Sequence, residues 1–223
     1  MTQKLLTQAL IKFFAGLILV MLLVFIPAGT LHFARGWIFI ALLFVPMFAA
    51  GLILMKKDPE LLRKRLDAKE EQSQQKTVIA LSGAMFLFGF ITAGINFRVG
   101  RLILPAGVSA AAAVVFILAY IMYGEVLREN TYLSRTVEVQ ENQKVIDTGL
   151  YGIVRHPMYS ATVLLFLSIP LILGSFFSFL IFLVYPFILV KRIKNEEEVL
   201  EEGLEGYAEY KQKVKYRLIP FIW

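Results

Sequence analysis

The residues from Gly149 to Tyr159, Gly-Leu-Tyr-Gly-Ile-Val-Arg-His-Pro-Met-Tyr, set a guanidinium, an imidazole and two phenols directly against an apolar run. Where that run ends, Arg192-Ile193-Lys194-Asn195-Glu196-Glu197 supplies a second guanidinium and two adjacent carboxylates, and the chain closes with Tyr216-Arg217-Leu218-Ile219-Pro220. Side chains of these types can clamp a carboxylate through a planar guanidinium fork or accept a proton at an imidazole or carboxylate. They can also hold an ammonium or a diol through charge-assisted hydrogen bonds, or cover a cation with an aromatic face. Ionisable groups beside a membrane segment point to function by default.

Each cluster also has a plainer reading. Proline disfavours helix at His156 and itself suits a first helical position, so His156 alone could be a cap and Arg155 a headgroup anchor, both at the water boundary. Arg192 and Glu196 are four residues apart, so they share a helix face and could form an exposed ion pair of a few tenths of a kcal/mol. Against this, Glu196 and Glu197 follow the apolar run so closely that they could face the mouth of a bundle, where a carboxylate needs a partner. Glu198, Glu201, Glu202, Glu205 and Glu209 read as a solvated face.

The elements that must position these groups belong in a bilayer. Of the 223 residues 58% are hydrophobic and only 18% charged, with mean hydropathy +0.68, whereas charged residues make up about a quarter of a soluble domain. This implies one integral membrane helical bundle, since only self-satisfied backbone crosses lipid. With no Cys, disulfides, thiolate nucleophiles and Cys-ligated metals are excluded, and no metal site is expected.

At about 20 apolar residues per span, membrane helices are predicted near residues 10–29, 36–55, 77–96 and 103–124. The first is too long for a signal-peptide core and lacks a small-residue cleavage site, so it is expected to be retained. Ala161 to Val190 is a longer apolar stretch with Pro170 and Gly174-Ser175 at its middle, which invites a reversal into a helical hairpin of two short arms. A single kinked helix is the competing reading. The fold class is therefore an all-α integral membrane protein of about five membrane segments, the last a broken helix or hairpin, followed by a cytosolic C-terminal helix. A four-helix membrane region over 1–125 would precede a cytosol-facing catalytic region over 126–223.

If the N-terminus is cytoplasmic and the hairpin returns to its starting side, every Lys and Arg faces the cytoplasm except Arg35, Arg98 and Arg101. That bias fixes the orientation of a multi-pass protein with both termini cytoplasmic. It also accounts for the net charge of +6 without a nucleic-acid partner. Asp58-Pro59 and the charged stretch from Glu60 to Gln75 predict a capped interfacial or solvated helix, in which Arg63, Lys64 and Arg65 would meet anionic headgroups or simply mark the inside. His32, in an outer loop, is expected to be structural. The polar stretch from Arg128 to Thr148, with Thr136-Val137-Glu138-Val139 alternating as a short extended segment, reads as a connector. Ala110 to Ala113 would allow close helix packing within one chain or between copies, so oligomeric state stays open.

Taken in order, Gly149-Leu150-Tyr151, Arg155-His156-Pro157-Met158-Tyr159, Arg192 with Glu196-Glu197 and Leu200, Tyr207, Tyr210 and Arg217-Leu218-Ile219-Pro220 resemble the membrane-embedded isoprenylcysteine carboxyl methyltransferases and their bacterial and archaeal-type relatives. They are similar also to the phospholipid N-methyltransferases. The resemblance spans about Gly149 to Trp223; the first 125 residues add only a compatible number of spans. It implies S-adenosylmethionine as methyl donor and S-adenosylhomocysteine as product, bound on the cytosolic side, with a lipidic or prenylated acceptor arriving sideways from the membrane. It further implies that Tyr151, His156, Pro157, Tyr159, Glu196 and Glu197 bind the cofactor.

A carboxylate acceptor is already deprotonated at neutral pH and needs alignment and dryness rather than a base, with Arg155 or Arg192 to orient it. An amine acceptor would need His156 or a glutamate as base. Two other classes compete. The same region resembles the cofactor-binding part of membrane sterol reductases, which would imply NADPH, and a noncatalytic lipid-binding role would tolerate loss of Arg155, His156 and Glu196. A transporter is disfavoured because the first four spans carry no charge placed at mid-membrane.

Overall fold

A computed structural model describes residues 2–66, 73–133 and 137–223. Five long or linked helical segments, Gln3–Ala28, Ala34–Lys57, Gln75–Val99, Ala106–Glu129 and Phe176–Gly203, are long and apolar enough to cross a membrane, and Pro157–Ile172 is a shorter apolar helix. The chain is a multi-pass integral membrane protein. Its helices are α1 (Thr2–Ala28), α2 (Ala34–Lys57), α3 (Pro59–Leu66), α4 (Ser73–Val99), α5 (Ala106–Glu129), α6 (Pro157–Ile172), α7 (Phe176–Phe182), α8 (Tyr185–Gly203) and α9 (Tyr207–Lys213). A single 3₁₀ turn at Gly149–Gly152 precedes α6. Among the described residues there is no strand, only an isolated bridge between Ile103 and Ser175.

The core is aromatic. Phe33, Phe39, Phe116 and Phe182 are fully buried, and Phe33 stacks on Phe97 with centroids 4.1 Å apart. Large apolar residues elsewhere, such as Ile11, Ile18, Val45 and Ile121, face outward, as a lipid-facing belt requires. Helices α1 and α4 cross tightly at Gly94, where a Cβ would stand 2.5 Å from the Val24 carbonyl oxygen.

The apolar stretch 161–190 is a hairpin. Pro170 lies within α6 rather than breaking it, and the reversal falls on Gly174, whose φ of +73° is open chiefly to glycine. A Cβ there would also stand 1.8 Å from Arg35 Nη1. This turn meets the other turns at the same end of the bundle. Arg35 Nη1 donates to the Leu104 carbonyl at 2.9 Å, and Leu104 N donates to the Gly174 carbonyl at 2.9 Å. Ser175 Oγ donates to Asn96 Oδ1 at 2.6 Å. Both chain termini therefore lie toward the opposite end. The second arm is longer than expected and is itself interrupted between α7 and α8.

Helix α5 packs along α6. Ser109 Oγ donates to the Leu171 carbonyl at 2.9 Å near one end, and Ala112 and Ala113 join the common core, so these small residues serve packing within the chain. At the other end Arg65 bridges Tyr123 of α5 and Met158 of α6. Because α5 runs on to Glu129 while α6 begins at Pro157, the start of α6 is recessed by more than a turn. His156 stands just outside the helix, as expected, and is enclosed by its neighbours at 5% exposure.

The capped helix after Asp58 forms as α3, with the Asp58 carboxylate accepting from Leu61 N at 2.9 Å. Residues 67–72 and Thr136 of the expected extended segment lie outside the described residues. Gln75, expected on a solvated face, is instead in α4 and fully buried.

Candidate functional site

The three sequence clusters converge at the recessed start of α6. Pro157 takes the first helical position, leaving His156 at φ −125° and ψ 61° outside the helix. Arg155 and His156 run beside the C-terminal segment: Arg155 N donates to the Tyr216 carbonyl at 2.8 Å and His156 N to the Arg217 carbonyl at 2.9 Å. That segment is a closed hook, since the Trp223 carbonyl accepts from the amides of Arg217, Leu218 and Ile219.

Glu197 is the hub of this junction and is 3% exposed. Its Oε1 accepts from Arg155 Nε at 2.7 Å and lies 3.2 Å from His156 Nε2. Its Oε2 accepts from Arg217 Nε at 2.9 Å. Arg155 Nη1 is committed as well, donating to the Val214 and Lys215 carbonyls at 2.7 and 2.9 Å. A carboxylate held by two guanidiniums and an imidazole meets the condition for burying charge, pairing with full hydrogen bonding.

One residue earlier on α8, Glu196 points elsewhere. Tyr159 Oη donates to Glu196 Oε2, and Tyr159 Oη in turn accepts from Arg192 Nε at 2.7 Å. The Arg192 guanidinium sits over the Tyr159 ring, 5.7 Å from its centroid. Tyr159 thus stands between the two residues that the spacing suggested as a surface pair. Arg192 Nη1 also donates to Gln75 Oε1 at 3.0 Å, and Gln75 Nε2 donates to Asn195 Oδ1 at 2.6 Å. Gln75 is a contributor that the sequence reading missed.

In front of Glu196 opens a cavity of about 850 Å³ of empty space, open water at its mouth included. Of the candidate residues, Tyr151, Arg155, His156, Tyr159, Arg192 and Glu196 line it; Pro157 and Glu197 do not. Pro157 builds the helix start behind the wall, and Glu197 holds Arg155, His156 and Arg217 together. The opposite wall is the connector, with Asn130, Tyr132 and residues 143–146, and the far flank is Leu200, Leu204, Tyr207 and Tyr210. Sequence patterning gave no role to these groups, although Tyr207 and Tyr210 belong to the motif. The exposed state expected for Glu198, Glu201, Glu202, Glu205 and Glu209 is observed.

The tyrosines differ in how they are satisfied. Tyr151 Oη accepts from Asn130 Nδ2 at 3.0 Å, and Tyr210 Oη donates to the Tyr151 carbonyl at 2.7 Å. Tyr207 Oη is buried with no hydrogen-bond partner among the described residues. Burial pushes the phenols of Tyr151, Tyr207 and Tyr210 well above their ordinary value, and the Glu197 and Glu196 carboxylates push Tyr207 further. All three stay neutral donors.

A carboxylate and an aromatic face lie together in the cavity, and Tyr207 Oη has no hydrogen-bond partner among the described residues. Residues 110–202 match the family model of the isoprenylcysteine carboxyl methyltransferases, which bears out the resemblance drawn from the motifs. A search of solved structures finds the eukaryotic intramembrane Ras methyltransferase, an isoprenylcysteine carboxyl methyltransferase, at a TM-score of 0.56 and 18% identity. The match covers 82% of this chain and 65% of that one. The membrane fold is therefore shared. A curated relative, the Delta(14)-sterol reductase of Mus musculus, is 28% identical over 91 residues, 40% of this chain and 22% of its own length. The chain thus spans less than two thirds of the length of each of these two proteins.

Proposed function

We propose that this chain is an S-adenosylmethionine-dependent methyltransferase acting on a lipid-like acceptor held in the membrane, with O-methylation of an isoprenylcysteine-type carboxylate as its reaction. The observation that carries this reading is the cavity lined by Tyr151, His156, Tyr159, Arg192 and Glu196, built largely from the stretch that matches the methyltransferase family. The positive-inside bias supports a cytoplasmic position for this end and for both termini, where a nucleotide-like cofactor is available.

When bound, S-adenosylmethionine would supply a methyl carbon already activated by a positive sulfur. Glu196 is the residue to hold its ammonium or ribose diol, prearranged by the Tyr159 hydroxyl. The ring of Tyr151 or Tyr159 suits the sulfonium. Arg155 has its Nε and Nη1 committed to Glu197 and to backbone carbonyls, so Arg192 is the better group to orient an acceptor carboxylate. The acceptor oxygen needs no base; the residues contribute alignment and exclusion of water. His156, beside Glu197, would become the base only if an amine were methylated, the reaction of the phospholipid N-methyltransferases.

The match to the sterol reductase supports a second reading, reduction with NADPH. Calorimetric titration of detergent-purified protein with S-adenosylhomocysteine and with NADPH separates the two. Binding of the former is expected, weakened about ten- to a hundredfold in Glu196→Ala, as loss of a hydrogen bond to a charged group implies. Binding of NADPH alone would overturn the methyltransferase reading, and binding of neither would favour a noncatalytic role.

A further inference from the structure

Gln75 lies in the first turn of α4, outside the stretch 110–202 that matches the family model. It is fully buried, and an enclosed amide is costly unless its polar ends are bonded. A guanidinium only donates, so the amide oxygen faces Arg192. Gln75 Oε1 accepts from Arg192 Nη1 at 3.0 Å, and Gln75 Nε2 donates to Asn195 Oδ1 at 2.6 Å. Arg192 and Asn195 are three residues apart on α8 and share a face, so one side chain of α4 engages both.

The two bonds do different things. The one to Asn195 joins two helices. The one to Arg192 fixes part of the cavity wall from behind, since Arg192 and Tyr159 line the cavity and Gln75 does not. Arg192 Nε is already held from α6, by Tyr159 Oη at 2.7 Å. A planar group held at Nε alone can still turn about that contact; held at Nη1 as well, its plane is set. Groups that align a reacting substrate must be fixed to within about 0.5 Å and 10–20°. Gln75 achieves this with a neutral oxygen, so it adds no negative charge to compete with an anionic acceptor for Arg192.

We propose that Gln75 is a positioning residue for the acceptor, fixing from α4 the plane in which the Arg192 guanidinium meets the acceptor carboxylate. The assignment rests on the methyltransferase reading and deepens it, because it brings a helix of the first membrane region into acceptor recognition.

The test measures methyl transfer to an S-prenylated cysteine by the purified protein in lipid, together with binding of S-adenosylhomocysteine, for Gln75→Met and Gln75→Glu. Gln75→Met keeps the shape and loses both hydrogen bonds. It is expected to lower kcat/KM for the acceptor about tenfold or more, with affinity for S-adenosylhomocysteine within about twofold of wild type, because only the acceptor side depends on Arg192. Gln75→Glu keeps an oxygen for Nη1 and adds a charge. It is expected to raise the acceptor KM about tenfold, again with cofactor affinity retained. On an Arg192→Ala background, Gln75→Met is expected to change the residual transfer by less than about twofold, since residues that act through one group are not additive.

A merely structural amide would weaken cofactor binding and acceptor use together and would add its effect to that of Arg192→Ala; either result would overturn the proposal. So would wild-type acceptor constants in the two Gln75 variants, and if Gln75→Met does not fold, an unchanged acceptor KM in Gln75→Glu does so alone. A wild type that binds S-adenosylhomocysteine yet transfers nothing to the prenylated cysteine would overturn the acceptor reading, and the proposal with it. That outcome is distinct, because it is seen before any variant is made.

Discussion

Polar groups gather at both ends of this bundle, and the two gatherings are built differently. At the end where the 29–33, 100–105 and 173–175 turns meet, Arg35, Asn96 and Ser175 bond to backbone carbonyls and to one another, and the glycine beneath Arg35 leaves no room for a side chain. At the other end two adjacent glutamates divide the work. Glu197 is enclosed by Arg155, His156 and Arg217, much as the turn cluster is enclosed by its own partners. Glu196 borders open space with Arg192 and Tyr159. A polar network whose partners are all internal staples helices together; one that faces a cavity is available to a ligand. Proximity in sequence does not separate the two roles, but the face of α8 does.

The largest expected effect that would break this contrast is on Glu197. Glu197→Ala strands the Arg155 and Arg217 guanidiniums and takes the carboxylate from beside the His156 imidazole, and removing one partner of a buried ion pair costs about 3–5 kcal/mol. A markedly lower unfolding temperature in detergent is the expected result, and an unchanged one would show that the junction is not a staple. Gly174→Ala attacks the opposite end. Placing a Cβ at positive φ costs about 1–3 kcal/mol, and the new methyl displaces Arg35. Stability should fall while the affinity for S-adenosylhomocysteine stays within twofold, since that cluster is far from the cavity; a loss of affinity would contradict the division of roles.

The smallest effect is expected at the exposed Asp147–Lys213 pair, 2.6 Å apart, which joins the connector to α9. The Lys213 ammonium holds the Asp147 carboxyl below its ordinary value. The stability it lends is therefore present above the usual carboxylate range and is lost as pH falls through the lowered value. Asp147→Asn should remove that acid-side slope and change little at neutral pH, as surface pairs do. A large loss at neutral pH would mean that the connector is held mainly there.

What the sequence revealed follows from the range of the forces involved. The spans, the helix start at Pro157 and the reversal near Gly174 are written in local composition and backbone preference, and all are found. The recess of His156 was not legible, because it depends on how far α5 runs past α6. Nor was the separation of Glu196 from Glu197. Both are carboxylates after the same apolar arm, and only packing against Arg155 and the C-terminal hook assigns one to the core. Gln75 was missed because one of several glutamines before an apolar span carries no signal until α8 is seen beside it. The connector, read only as a polar link, gave no warning that it walls the cavity.

The most direct measurement of the central claim is transfer of a labelled methyl group from S-adenosylmethionine to an S-prenylated cysteine by the purified protein in lipid, with Arg192→Ala alongside. The account predicts that label enters the acceptor as a methyl ester, released as methanol by alkali, and that Arg192→Ala loses most of this transfer while still binding S-adenosylhomocysteine. No transfer to the prenylated carboxylate, or label that survives alkali, would contradict it.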